Sequence, residues 1–316
     1  MAETTVTAGA GLLLEKKRHS LAVDLFLRLV REKPLGTVGL VIVLILFFAG
    51  VLADVISPYG YNELDLASRL GAPSAQHILG ADNLGRDLLS RIIYGARISM
   101  YVGLGGAMLE VLLAGLIGII SGYFGGKTDA VIQRFVDAWM SFPPLFFYLT
   151  IMAVLGPGLG QVILVLGMVS GIRQSRVVRS AVISIKENVY FDAAKAIGCP
   201  PGKILLKHVL PNVTAPIIII FTVGIGHFIL QEATLSFLGY GIPPPAPSWG
   251  GMLSGAGRQY MYLAPWMALW PGIALATAVY GLNMLGDAMR DLLDPRLRGG
   301  LGRYSGVKRK MPQAAS

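Results

Sequence analysis

From Ala138 to Ile172 the chain carries no Asp, Glu, Lys or Arg, and water offers such a stretch no favourable place. A bilayer core about 30 Å thick is crossed by roughly 20 apolar residues in a helix, so this run is long enough for two crossings. Gly156-Pro157-Gly158-Leu159-Gly160 interrupts it, and glycine with proline stops a helix. Similar runs lie between Lys33 and Asp54, between Arg97 and Lys127 with Glu110 inside, between His208 and Glu232, and between Arg258 and Asp287. The pattern predicts an all-α polytopic membrane protein with six transmembrane helices, near 36–56, 98–122, 130–155, 160–180, 211–236 and 265–289. Composition agrees: 54% of the 316 residues are hydrophobic and 14% charged, against about 25% charged in soluble domains.

An even number of spans puts both termini on one side, and the placement of positive charge says which. Cytoplasmic loops of membrane proteins are enriched in Lys and Arg. Of 27 such residues, Arg69, Arg86, Arg91, Arg97 and Arg258 fall on one face, and the rest fall with the termini, in the segments 16–33, 127–134, 173–207 and 290–310. Both termini are therefore expected on the cytoplasmic side of the membrane. The net charge of +9 is on this reading a topology signal, and no nucleic-acid partner is expected.

Several chemistries drop out. Cys199 is the only cysteine, which excludes an internal disulfide, and His19, His77, His208 and His227 are too scattered to suggest a metal site. Gly125-Gly126-Lys127-Thr128 looks like the end of a phosphate-binding loop, but Ser121 stands where that loop needs glycine. Leu253-Ser254-Gly255-Ala256-Gly257-Arg258-Gln259 echoes an ATPase signature but falls on the outer face. No catalytic residue is expected, no His-Glu-x-x-His run exists, and no cofactor is expected on this chain.

The densest motif lies in the segment after the fourth span. Asp192-Ala193-Ala194-Lys195-Ala196 favours a helix, with Asp192 placed where a helix dipole welcomes an acid. Gly198 with Pro200-Pro201-Gly202 stops it. A second short helix is expected over 202–209, leading into the fifth span with Pro211 in its first turn. The outcome is a helix–turn–helix elbow on the cytoplasmic surface, small-faced and accessible.

The string Asp192-Ala193-Ala194, three residues, Gly198, nine residues, His208, Val209, Leu210-Pro211 resembles the Glu-Ala-Ala loop of ATP-binding-cassette importer permeases. Asp192 replaces the usual Glu, and His208 takes a position normally hydrophobic. Further segments are similar to the dipeptide, oligopeptide and nickel importer branch of that family. These are 77–87 running on to Tyr94-Gly95-Ala96-Arg97, Ser141-Phe142-Pro143-Pro144, Glu232-Ala233-Thr234-Leu235-Ser236-Phe237-Leu238-Gly239, Pro247-Ser248-Trp249-Gly250 and 291–298. The resemblance implies a type-I ABC importer transmembrane fold with cytoplasmic coupling helices. It further implies a second permease subunit, two ATPase subunits that hold ATP and magnesium, and an extracytoplasmic solute-binding protein. The elbow residues Asp192, Ala193, Ala194, Gly198, His208, Leu210 and Pro211 would then couple this chain to an ATPase.

The expected organisation is a cytoplasmic tail over 1–35, a first span with its outer loop over 36–97, a transport domain over 98–290 holding the coupling loop 186–211, and a tail over 291–316. Glu110, His227 and Glu232 lie inside spans, where ionisable groups cost about 2.5–3.5 kcal/mol; they line a pathway or stay buried among polar partners. A proton-coupled secondary transporter, with Glu110 and His227 as its relay, is the alternative. It leaves the elbow without a purpose.

Overall fold

The computed structural model describes residues 21–293, so the expectations for residues 1–20 and beyond 293 lie outside it. Every regular element among the described residues is helical. The first described element is α1 (Leu21–Glu32), within the segment read as a cytoplasmic tail. The first span is α2 (Pro34–Val51), followed by one turn, α3 (Ala53–Ile56).

The second span starts earlier than expected. Helix α4 (Leu88–Phe124) has 37 residues and begins where Asp87 accepts the Ser90 amide at 2.8 Å. Arg91 and Arg97 read as loop residues from the sequence, because unpaired charges do not enter a membrane helix. Here each is answered from a distant segment. Arg91 Nη1 donates to the Tyr61 carbonyl at 2.8 Å, while Arg97 donates to the Gly50 carbonyl and to Asp54 at 2.8 and 2.7 Å. Arg97 in turn holds the Asp54 carboxyl below the usual carboxylate range.

The third span, expected over 130–155, is two helices. Helices α5 (Gly126–Met140) and α6 (Pro144–Leu155) meet at 86°. Pro143 lacks an N–H and pushes Phe142 away from helical torsions, while Pro144 opens the new helix. The fourth span, expected over 160–180, is part of α7 (Leu159–Lys186), whose apolar stretch ends at Arg173. That apolar stretch is shorter than a usual span, while α7 as a whole has 28 residues. Four helical segments are long and apolar enough to cross a membrane, or five if the bent α5–α6 pair counts as one.

Beyond α7 come α8 (Val189–Ala196), α9 (Pro201–Ile204), α10 (Leu210–Phe237), α11 (Trp249–Gln259) and α12 (Trp266–Leu293). Helix α11 lies between the fifth and sixth expected spans, where no helix was expected.

Small residues bring α4 and α7 together. A Cβ on Gly118 would stand 2.5 Å from the Ser175 carbonyl oxygen, and one on Gly122 would stand 2.8 Å from Val182 Cβ. From the other side, a Cβ on Gly167 would meet Leu109 Cβ at 2.7 Å, and one on Gly171 would meet Leu113 Cβ at 2.8 Å. Backbones approach this closely only where side chains are absent, a contact that substitutes for the hydrophobic drive missing in lipid. Helices α2 and α12 use the same device at Gly39 and Gly281.

Polar ties then fix one end of this pair. Arg179 grips Asp129 with two bonds of 2.6 and 2.5 Å, Asp129 accepts from Ser121 at 2.5 Å, and Gln133 donates to the Ser121 hydroxyl at 2.9 Å. Arg176 pairs with Asp137 nearby. This clasp joins α4, α5 and α7. An Arg179→Ala variant should lose about 1–2 kcal/mol, because a two-pronged charged contact at a half-open site is partly screened. Thermal melting of the purified protein in detergent would measure it, and a cycle with Asp129→Ala should show strong coupling. Additive losses would dismiss the clasp.

At about 1.5 Å per residue, α4 runs roughly 55 Å, and it separates two ends of the molecule. Its N-terminal end carries the loop 57–87; its C-terminal end meets α8. Lys33 and Asp291 pair at 2.6 Å, so the start of α2 and the end of α12 adjoin.

Candidate functional site

The elbow is built outward from the end of α7. Lys186 Nζ donates to the Gly122 and Tyr123 carbonyls at 3.1 and 2.9 Å, covering acceptors that α4 leaves open at its C-terminus. Asn188 turns the chain, its amide donating to the Ser184 and Ile185 carbonyls at 3.0 Å each.

Helix α8 then shows two faces. Phe191 and Ala194, three residues apart, are buried against Val178, Val182, Ile204, Val209 and Val213. Phe191 also meets the Tyr123 ring at 6.2 Å, edge to face. Asp192, Ala193, Lys195 and Ala196 point outward.

Gly198 closes the helix with φ +74°. The Gly198 amide donates to the Lys195 carbonyl at 2.9 Å and the Cys199 amide to the Ala194 carbonyl at 3.1 Å. That paired pattern is a Schellman stop, which needs a left-handed residue at this place. Pro200 then caps α9 through its carbonyl, which accepts from the Lys203 and Ile204 amides at 3.0 and 3.1 Å.

The expected second helix, 202–209, is a single turn continued by a π-helical turn over Leu205–Val209, which runs without a break into α10. A π turn inserts a residue into the helical repeat. Ile204, Val209 and Val213 thereby share the buried side. Leu210 and Pro211 form the first turn of α10.

His208, at the normally hydrophobic position, lies with its ring 6.0 Å from that of Tyr190. An aromatic contact between the two arms of the elbow therefore occupies the place of an aliphatic one. Nothing in the sequence pointed to Tyr190 as its partner.

The outer surface of the elbow mixes apolar and charged side chains. Val189, Ile197 and Leu206 are 85, 84 and 70% exposed, and Tyr190 and Leu210 are also open. Lys195, Lys203 and Lys207 are exposed on the same segment. Exposed apolar side chains of this size are found where a surface meets a partner or a membrane.

The residues inside the spans are placed separately. Glu110 is buried, its Oε2 has no hydrogen-bond partner, and it occupies the slot opposite Gly224, where a Cβ would stand 2.4 Å away. His227 lies on an open face of α10, with its ring 5.9 Å from Phe228. No hydrogen bond or ion pair joins these two among the described residues. Glu232 is buried and accepts the Ser236 hydroxyl at 2.6 Å. Ser236 Oγ also accepts the Ile242 amide at 3.2 Å.

The elbow falls within residues 114–299, which match the family model described as binding-protein-dependent transport system inner membrane component. The chain belongs to that family. A second model, for the N-terminal transmembrane domain of oligopeptide transport permease C, matches residues 20–73 of this permease.

Curated relatives span the permease almost end to end. The dipeptide transport system permease protein of Alkalihalophilus pseudofirmus is 40% identical over 269 residues, covering 85% of this chain and 88% of that one. The oligopeptide transport system permease protein of Bacillus subtilis is 35% identical over 291 residues, 92% of this chain and 95% of that one. The glutathione transport system permease protein of Pectobacterium atrosepticum is 35% identical over 272 residues, 86% and 90% of the two chains. This permease is thus a multi-pass membrane subunit of an ABC importer, and the proton-coupled alternative has no support.

Proposed function

We propose that this permease forms half of the pathway through which an ATP-driven importer carries peptides across the cytoplasmic membrane. A second, distinct permease supplies the other half. Two ATPase subunits bind below, holding ATP and magnesium, and an extracytoplasmic binding protein delivers solute to the end carrying the loop 57–87. Both termini and the elbow face the cytoplasm. The peptide assignment follows the relatives, whose names specify dipeptides, oligopeptides and glutathione.

The observation that carries the coupling role is the elbow's double character. Its outer side offers Val189, Ile197 and Leu206 to a partner. Its inner side is sewn to α4 and α7 through Phe191, Lys186 and the buried valines. A push on the outside is therefore delivered to the helices as a rigid-body displacement, the kind of motion by which packed elements switch.

The assembled importer in proteoliposomes should take up labelled peptide only when ATP is supplied on the elbow side. Uptake should persist when an uncoupler dissipates the proton gradient at constant ATP. Loss of uptake under that uncoupler would overturn the reading.

A further inference from the structure

At the loop end of α4 the bundle holds a cavity of about 460 Å³, within the range of small-molecule sites. Asp82, Arg86 and Arg91 form one wall; Ser236, Ser248 and Gly255 contribute to the others. The charged wall is unbalanced. Arg86 Nε donates to Asp82 Oδ2 at 2.7 Å, and Arg91 Nε lies 3.6 Å from the same oxygen. Asp82 Oδ1 is already occupied by the Leu84 and Arg86 amides at 2.8 and 3.0 Å. One carboxylate therefore serves two guanidinium groups.

The neighbouring acid offers no relief. Asp87 is taken up by His77 Nδ1 at 3.0 Å, by the Ser90 amide at 2.8 Å and by the Ser90 hydroxyl at 2.7 Å, and it does not line the cavity. The Asp82 and Arg91 side chains are more than nine-tenths buried, and that of Arg86 is 11% exposed. The Nη2 atoms of Arg86 and Arg91 donate to no described protein group, and neither is sealed from solvent. Two guanidinium groups with unused Nη2 donors beside an open cavity, sharing a single lining carboxylate, are complementary to a further carboxylate.

We propose that this cavity is an entry subsite that receives the carboxylate of the transported solute, the C-terminal carboxylate of a peptide. The inference rests on the peptide reading above. It adds that the permease itself reads the solute's charge before passage, with Arg91 and Arg86 as the recognising groups and Asp82 holding both in place.

The test uses the permease complex with its ATPases in nanodiscs, the binding protein omitted. The probes are oligoalanines of two to five residues and their C-terminal amides, titrated by calorimetry. The free acids should bind at least tenfold more tightly than the amides, as expected for charge-assisted hydrogen bonds. Arg91→Gln should abolish that difference. Gly255→Leu touches neither arginine and fills open space, since a Cβ there meets nothing within 4 Å; it should weaken both probes alike, and it serves if Arg91→Gln does not fold. Equal binding of acid and amide would overturn the proposal. So would an Arg91→Gln complex that binds the probes as the wild type does but, in a separate titration with the binding protein added, no longer holds that protein; this would assign the arginines to an acidic side chain of the binding protein. Wild-type uptake of the same peptides, measured in parallel, separates a failed subsite from a failed peptide assignment.

Discussion

A Gly198→Leu variant should reach the membrane in normal amount, keep its melting temperature within a few degrees, and lose most of its transport. Gly198 sits at φ +74° with nothing within 4 Å of a Cβ, so the substitution meets no wall. Its cost is conformational, about 1–2 kcal/mol for a side chain held in the left-handed region. That is small against global stability, but it shifts a local equilibrium by a factor of roughly 5–30. The strain falls on the turn that sets the angle between α8 and α9, and hence the position of Val189 and Ile197 relative to Leu206. Uptake should fall about tenfold while ATP hydrolysis by the complex continues. Gly198→Asn, which tolerates this backbone region far better, should recover much of it. Full uptake by the leucine variant would show that the turn is a passive connector.

The second large effect is expected at the other end of the molecule. Gly85 has φ +77°, and a Cβ there would lie 1.7 Å from the Asp65 carbonyl oxygen. Gly85→Ala therefore adds a steric collision to the conformational cost, together about 2–5 kcal/mol. The collision would part the turn 82–86 from the segment around Asp65 and disturb the Asp82–Arg86 pair. Faster proteolysis within 57–87 and a clearly lowered melting temperature should result. Gly239→Ala is the control: its φ is +87°, but nothing lies within 4 Å of the added atom, so only the smaller conformational cost remains. If the two variants melt alike, the packing of the loop against Asp65 is not a constraint.

What the sequence made visible, and what it hid, follows from the range of the interactions involved. The elbow was legible because its signals are local: Asp192 to Ala196 favour helix, Gly198 stops it, and Pro200-Pro201 turns the chain. The long apolar runs were legible because lipid admits little else. The early start of α4 was not, since the charges of Arg91 and Arg97 are satisfied by Tyr61, Gly50 and Asp54, contacts that exist only after folding. For the same reason the clasp of Arg179, Asp129 and Ser121 left no trace in spacing. The bend between α5 and α6 was half visible. Pro143-Pro144 marks an irregularity within the run, but whether a span kinks or breaks depends on its neighbours. His208 shows a third case, a departure from the family pattern that Tyr190 absorbs.

The central claim is that force enters these helices through the elbow, and capture of the partner in place tests it most directly. With Cys199 replaced by Ala, a single cysteine at Ile197, which is 84% exposed, can be scanned against cysteines in the ATPase of native membranes. A crosslink should form rapidly and change in yield between the ATP-bound and nucleotide-free states, while a cysteine at the buried Phe191 should form none. If Ile197 never captures an ATPase although the importer is assembled and active, the elbow does not couple it to ATP.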